Sequence, residues 1–439
     1  MFPQPLSPSP SQAHRVPPGS AKRRSPCPIH WIALTCLGFL ATSARAGDWP
    51  GWRGVHRDGH LDREKLPVRL ETAPQVLWRK SIGHGYAAPA AAGDTVVVLD
   101  DANGRETAHL LSTKTGTEVW TEPYHETYSD EFEPGPRCTP LIDGDRLYVQ
   151  SCRGEFRCLN LADGKTRWRF HFADYGAFWV SEKGSPIGAA NRRGHSGSPV
   201  ISGDRIFVQV GSTNGASIAA FDKLSGRLLW KSQNDLTCYS SLNSGTLGGI
   251  PQVVGATCDG LLGLASADGV LLWRVPFKTG ANRNVLTPIL DGNTVTFGSY
   301  TTGLRRARIE SSIAPQKPTD EWFNRDLKIN LSTPTLAGEY FYGLGSDTMK
   351  SLMCVDRRTG KIAWTQPGFD AVASVVTDGE RLLVLNDRGE CLLLAADPNA
   401  FRELGRFQAC GKTFVHPAFS NGILYVRDQR ELIAYSLKH

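Results

Sequence analysis

Polar and apolar residues alternate along this chain in short runs that come in a recurring order. Arg146-Leu-Tyr-Val-Gln150 and Arg205-Ile-Phe-Val-Gln-Val210 repeat with period two, the pattern of strands that bury one face. Before each such run stands a proline and then a Gly-Asp or Gly-Asn turn, as in Pro89…Gly93-Asp94, Pro140…Gly144-Asp145, Pro199…Gly203-Asp204 and Pro288…Gly292-Asn293. Pro334…Gly338-Glu339 and Pro417…Asn421-Gly422 are looser versions. After each comes another apolar run, a turn of the type Asp-x-x-Thr-Gly, and a strand that carries a tryptophan. Asp222-Lys-Leu-Ser-Gly-Arg-Leu-Leu-Trp230 and Asp356-Arg-Arg-Thr-Gly-Lys-Ile-Ala-Trp364 show this last part best. One unit therefore predicts four strands, A to D, joined by tight polar turns, and long helical periodicities are absent.

The units repeat every 40–50 residues or so, which is the period of a β-propeller blade. Trp78, Trp120, Trp168, Trp230, Trp273, Trp322 and Trp364 mark the period, and Phe407 continues it where a tryptophan is expected. The last unit supplies strands A to C and then the chain stops; the missing D strand is present near the start as Gln75-Val-Leu-Trp78. Closing the last blade with an N-terminal strand removes an open sheet edge. The expected fold is thus all-β: an eight-bladed β-propeller of four-stranded antiparallel blades over residues 75–439. Seven blades is the rival count, because the unit around Phe407 departs most from the pattern. At this spacing the seven tryptophans are expected to be docking residues between blades, each large ring filling the wedge where neighbouring sheets splay.

Charge and cysteine content change the picture at the N-terminus. Residues 1–46 contain Lys22-Arg23-Arg24, an apolar run from Ile29 to Leu40 and Ala44-Arg45-Ala46, with no acidic side chain. That is the layout of a Pro-rich extension and signal peptide cleaved after Ala46, too short in its apolar part for a comfortable membrane span. A lipoprotein anchored at Cys36 is the alternative. Lys+Arg 49 against Asp+Glu 43 gives a net +6, but five of those cations lie in the leader, so the mature chain is near neutral. No basic stripe or nucleic-acid module is present, and residues 47–74 form a mature N-terminal segment before the propeller. Eight cysteines remain after the leader. The repeat register puts Cys138 beside Cys152, and Cys238 beside Cys258, on one face of their blades, and these pairs are the expected disulfides in an exported chain. No cysteine or histidine spacing matches a metal site.

The Asp-x-x-Thr-Gly-Lys/Arg-x-x-Trp cassette resembles the repeat of the pyrroloquinoline quinone (PQQ) propeller superfamily, which holds quinoprotein alcohol dehydrogenases and non-catalytic relatives. One of those is the propeller lipoprotein of the outer-membrane β-barrel assembly machinery. Asp48-Trp-Pro-Gly-Trp-Arg-Gly-Val-His-Arg-Asp-Gly59 is similar to the opening of exported propellers of planctomycete-type bacteria. The catalytic members stack their quinone partly on a disulfide between adjacent cysteines and hold calcium with Glu, Asn and Asp; no Cys-Cys pair occurs here and those ligands match no position.

The resemblance and the residues together imply an exported, periplasmic or extracellular, non-catalytic propeller. It would be a monomer in the cell envelope, binding a protein, peptide or other ligand, without nucleic acid, metal or cofactor. The alternative is a PQQ- and calcium-dependent alcohol or sugar dehydrogenase. In a propeller the D–A and B–C connections share the face around the channel mouth. Candidate binding residues there are His84, Tyr86, Arg137, His195, Tyr239, Arg283, Asn284, Asn330 and His416, with Trp179, Arg192 and Arg193 on the long loop 173–196.

Overall fold

The computed structural model describes residues 47–130, 132–178, 193–279, 283–345 and 349–437; the expected leader, Trp179 and Arg192 lie outside them. The described residues form eight four-stranded antiparallel sheets, the blades of a propeller. Blades 1 to 7 use consecutive strands: 90–126, 141–171, 200–232, 243–276, 289–324, 335–367 and 373–408. Blade 8 joins Ala418–Ser420, Ile423–Arg427 and Glu431–Ser436 to Gln75–Ser81, with Val76 opposite Tyr435 and Arg79 opposite Ile433. The chain ends therefore meet in one sheet, and the count is eight. The short A strands approach one another around the axis, the B and C strands are almost wholly buried, and the D strands form the half-exposed outer edge.

The outer seams follow from one local irregularity. In blades 1 to 6 and 8 the D strand slips by one residue, and the tryptophan stands just past the slip. Trp120 faces Leu110 while Glu118 faces Leu111, leaving Val119 unpaired and exposed. Such a bulge re-aims the side chain beside it. In five of these seams the indole then seats on the glycine of the next blade's C–D turn. A Cβ on Gly226, whose φ is +72°, would sit 2.6 Å from the Trp168 ring, and one on Gly116 2.7 Å from Trp78. Nε1 closes the seam by donating to a carbonyl of the same turn: Trp78 to Thr113 (2.8 Å), Trp120 to Leu161 (2.9 Å), Trp230 to Ser266 (3.1 Å), Trp322 to Arg357 (2.8 Å) and Trp364 to Asp397 (2.9 Å). Asp356 and Asp222 hold that turn by accepting backbone N–H groups two and three residues on.

Two seams differ from expectation. Trp273 lies across Gly263 of its own sheet and donates to Gln252 Oε1 (2.6 Å). The reason is that the C–D connection of blade 5 is not a tight turn. Its residues 309–318 fold back onto blade 4, where Gln316 N donates to Leu272 O (2.7 Å) and Gln252 Nε2 to Gln316 Oε1 (2.7 Å). In blade 7 the slip places Gly405, and not Phe407, at the tryptophan position. Leu70 of the N-terminal segment passes directly over Gly405, with its N–H on Leu404 O (3.0 Å).

The cysteines also depart from expectation. All eight described cysteines are buried and none is bridged. Cys138 Sγ turns to Gly197 O and Cys152 Sγ to Gly135 O, while Cys238 Sγ and Cys258 Sγ point to the carbonyls of Ala256 (3.0 Å) and Thr237 (2.9 Å). Both expected pairs are thus held as thiols by backbone acceptors.

Candidate functional site

Eight residues at equivalent positions, one per blade, ring the axis: Ala88, Thr139, Ser198 and Ser241 in blades 1 to 4, then Thr287, Thr333, Ser374 and His416. Most precede a proline that starts strand A. Their hydroxyls knit blade to blade: Thr139 N donates to Ser198 Oγ (3.1 Å), Ser198 N to Ser241 Oγ (3.0 Å) and Thr287 N to Thr333 Oγ1 (3.0 Å). This gives the Ser/Thr-Pro signal of the repeat a physical role.

Beneath this ring the channel is filled. Residues 47–61 run through it and bond to every blade. Trp49 pairs with Ala91, Pro50 O accepts from Ile142 N, and Trp52 Nε1 donates to Thr287 Oγ1 (2.9 Å). Arg57 donates to Ser198, Pro199 and Leu242 carbonyls, bridging blades 3 and 4. Arg53 donates to Thr333 O, Pro334 O and Thr335 Oγ1 of blade 6. Leu61 N donates to Thr377 O of blade 7, and Asn421 N of blade 8 to Gly47 O. Burial lowers the pKa of Arg53 to about 10, partly offset by the charge of Asp58, and of Arg57 to about 9, so both stay charged at neutral pH, held by backbone carbonyls. The channel is a packed core, not an aqueous pore.

Above the ring a cup of about 280 Å3 remains. Its wall has one residue per blade, each two positions before the ring residue: Tyr86, Arg137, Ser196 and Tyr239, then Val285, Leu331, Val372 and Phe414. Trp52 and His416 form the floor, and Phe132, Arg193 and Arg283 complete the rim. Phe132 and Leu331 are 48% and 40% exposed, high for large apolar groups. No carboxylate lines the cup among the described residues. Asp130 stands behind the wall, with Arg137 on both oxygens (2.9 Å each) and Arg193 on one (3.0 Å). Burial alone would raise the Asp130 pKa, but the hydrogen bonds from Arg137, Phe132 N and Arg193 hold it well below the carboxylate range. His416 is kept neutral on the floor: burial, then the charge of Arg53, lowers its pKa to about 3.

Of the sequence-predicted residues, Tyr86, Arg137, Arg193, Tyr239, Arg283 and His416 meet in the cup. His84 does not; it faces Glu133 (3.4 Å) and bridges to Asp101. His195 and Asn284 are buried away from it, the first edge-on to Phe172 (4.7 Å), the second on Thr257 O (2.7 Å). Asn330 lies behind the wall as acceptor for Arg283. His195, Asn284 and Asn330 stand three positions before the ring residue, one step out of phase in an extended chain whose side chains alternate. Trp52, Phe132, Leu331 and Phe414 were not among the expected residues; the spacing of two before Ser/Thr/His-Pro was the signal for the last two. Among the described residues no three His, Cys, Asp or Glu are placed to hold a metal, and no helix is long and apolar enough to cross a membrane.

The family described as outer membrane protein assembly factor BamB matches residues 68–192 and 104–366. Among solved structures, BamB from Moraxella catarrhalis superposes with a TM-score of 0.58 at 16% identity, over 84% of this chain and 99% of that one. The computationally designed Ika8 protein gives 0.58 at 12%, over 83% and 100%. The quinohemoprotein alcohol dehydrogenase ADHIIG from Pseudomonas putida HK5 gives 0.60 at 9%, over 89% and 80%. At these identities the likeness shows the fold alone. No curated protein matches.

Proposed function

This chain belongs to the family described as outer membrane protein assembly factor BamB, and from that premise we propose that it is a protein- or peptide-binding propeller of the cell envelope. In this reading residues 1–46 direct export and are removed, and residues 75–439 form the propeller. The mature segment 47–74 is the axial plug and the filler at Gly405. The cup is the docking site. The observation that carries the reading is its wall: one side chain from each blade, apolar and aromatic groups left exposed at the rim, and guanidinium groups with no lining carboxylate among the described residues. Exposed apolar surface of this kind marks interaction sites, and aromatics with Arg are the groups that dominate binding hot spots.

The quinoprotein reading fits this site poorly. A calcium-held quinone needs carboxylate and amide oxygens around the ion and a carboxylate base; the described lining offers three guanidinium groups instead. The test is quantitative capture of envelope proteins by the purified protein and by its Phe132→Ser/Leu331→Ser variant. The variant is expected to lose at least tenfold in recovery of whichever partner is enriched, with an unchanged melting temperature. Equal recovery would sink the cup as docking site. Dye reduction by the protein with PQQ, calcium and an alcohol would overturn the non-catalytic reading.

A further inference from the structure

Among the described residues one cation in the cup has no counter-ion. Arg137 and Arg193 share Asp130, whereas Arg283 has no carboxylate within ion-pair distance among the described residues. Its guanidinium lies over the Tyr300 ring, 4.7 Å from the centroid, and gives one hydrogen bond, to Asn330 Oδ1 at 3.2 Å. Its Nε is buried without a partner among the described residues. An arginine carries five N–H donors in a planar fork; here the fork is held on a ring face and by an amide oxygen, with most donors unspent. A guanidinium so fixed matches a carboxylate, which takes two parallel N–H bonds. Trp52, Val285, Leu331, Val372 and Phe414 give the chamber an apolar and aromatic side, beside the hydroxyls of Ser196, Ser198, Ser241 and Thr333.

The shape adds a second constraint. At about 280 Å3 the cup lies just under the range of small-molecule pockets, about 300–1,000 Å3, so it holds the end of a chain and not a folded module. From its side a wider trough of about 990 Å3 opens where blades 8 and 1 meet. Cup and trough share Tyr86, Phe132 and Phe414, and beyond them the trough is lined by polar groups of both signs, including Lys412, Gln429, Arg430 and Glu133. Tyr86 and Phe414 stack at 6.4 Å between the two. A path therefore leads from this cation, along the apolar side of the chamber and past an aromatic pair, to a polar groove.

Resting on the reading of the cup as a docking site, we propose that its occupant is the carboxylate-bearing apolar end of an extended peptide. Arg283 holds the carboxylate, the chamber takes the apolar side chain beside it, and the trough at the blade 8–blade 1 junction takes the residues upstream. Arg283 is a binding residue here and has no catalytic role.

The probes are three peptides labelled at the N-terminus with fluorescein, followed by anisotropy with the whole protein. The first is Gly-Ser-Gly-Ser-Leu-Phe as the free acid, the second its C-terminal amide, the third Gly-Ser-Gly-Ser-Asp-Phe as the amide. The free acid is expected to bind at least tenfold more tightly than the uncharged amide. Arg283→Gln should abolish that difference and Arg283→Lys restore part of it. Binding of the third peptide at the level of the first supports a side-chain carboxylate as source; binding at the level of the second supports a chain terminus. Should Arg283→Gln fail to fold, the free acid against the amide on the unaltered protein still decides. Equal binding of all three, weakened together by Phe132→Ser, would overturn the carboxylate inference and leave the cup as a docking site. Binding of none would overturn both.

Discussion

Between blades 2 and 3 the Trp168 ring lies on Gly226, a seat with φ +72° where no side chain fits; between blades 4 and 5 Trp273 turns back onto its own sheet and a glutamine pair joins the blades. The first arrangement is made twice over by the repeat, which supplies both ring and glycine. The second arises because blade 5 lacks the tight C–D turn, so residues 309–318 must supply the missing contact. The blade 7–blade 8 seam teaches the same thing: Gly405 leaves the indole position empty and Leu70 passes over it. At the axis, too, where no repeat position reaches, residues 48–61 do the filling. Repeat residues set the frame, and segments outside the repeat close what it leaves open.

The sharpest break of that comparison is at a regular seam. Trp230→Ala should cost about 3–5 kcal/mol in urea unfolding, since the ring is nearly buried and also loses its bond to Ser266. A cost under about 1 kcal/mol would mean that the indole does not hold the seam. Next in size is the seat itself. Gly226→Ala adds a Cβ 2.6 Å from the indole at a left-handed backbone position, and about 2–5 kcal/mol is expected from strain and overpacking together. Gly203→Ala has a similar φ, +62°, but open space around it, and should cost only the backbone part, about 1–2 kcal/mol. Equal losses at the two glycines would show that the ring gives way freely.

This division explains what was legible in the sequence. Trp120, Trp230 and Trp322 and the closing strand Gln75–Ser81 could be read because periodicity reports packing that recurs. Trp273 could not be assigned correctly, since its role depends on a connection in the next blade and not on its own unit. The Phe407 assignment failed because a bulge slips the register, and the slip is invisible without the partner strand. The plug was read only as a family marker: Trp49, Arg53 and Arg57 have no repeat register, and their acceptors are backbone carbonyls on blades far apart in sequence. In the cup, Tyr86, Arg137 and Arg283 were legible from their place before strand A. His195 and Asn284 were misplaced by a single residue of phase.

The axis and the seams should also respond differently to acid. His195 and His416 are buried, and burial lowers the pKa of each to about 3, against about 6.5 when unfolded. Between those values the unfolded chain binds protons that the folded chain refuses, so stability falls as pH drops through that window, by about 1.4 kcal/mol per pH unit for each histidine. His416→Gln should remove about half of that slope while leaving the tryptophan seams untouched. An unchanged slope between pH 6 and pH 4 would place the acid sensitivity elsewhere.

The smallest effect separates two seams that look alike. Trp120 Nε1 donates to Leu161 O, but the equivalent carbonyl facing Trp168 is taken: Tyr148 Oη donates to Lys223 O (2.9 Å), and Trp168 Nε1 is buried with no partner among the described residues. Trp120→Phe loses a hydrogen bond and should cost about 1 kcal/mol beyond the loss of ring area. Trp168→Phe loses no bond and removes a buried donor that is already unpaired, so its cost should be near zero by the same measure. Tyr148→Phe frees Lys223 O for the indole, and in that background Trp168→Phe should again cost about 1 kcal/mol. A double-mutant cycle between positions 148 and 168 measures this directly as a coupling of about 1 kcal/mol. A coupling of zero would mean that the indole N–H is satisfied by water, and that the two seams are equivalent after all.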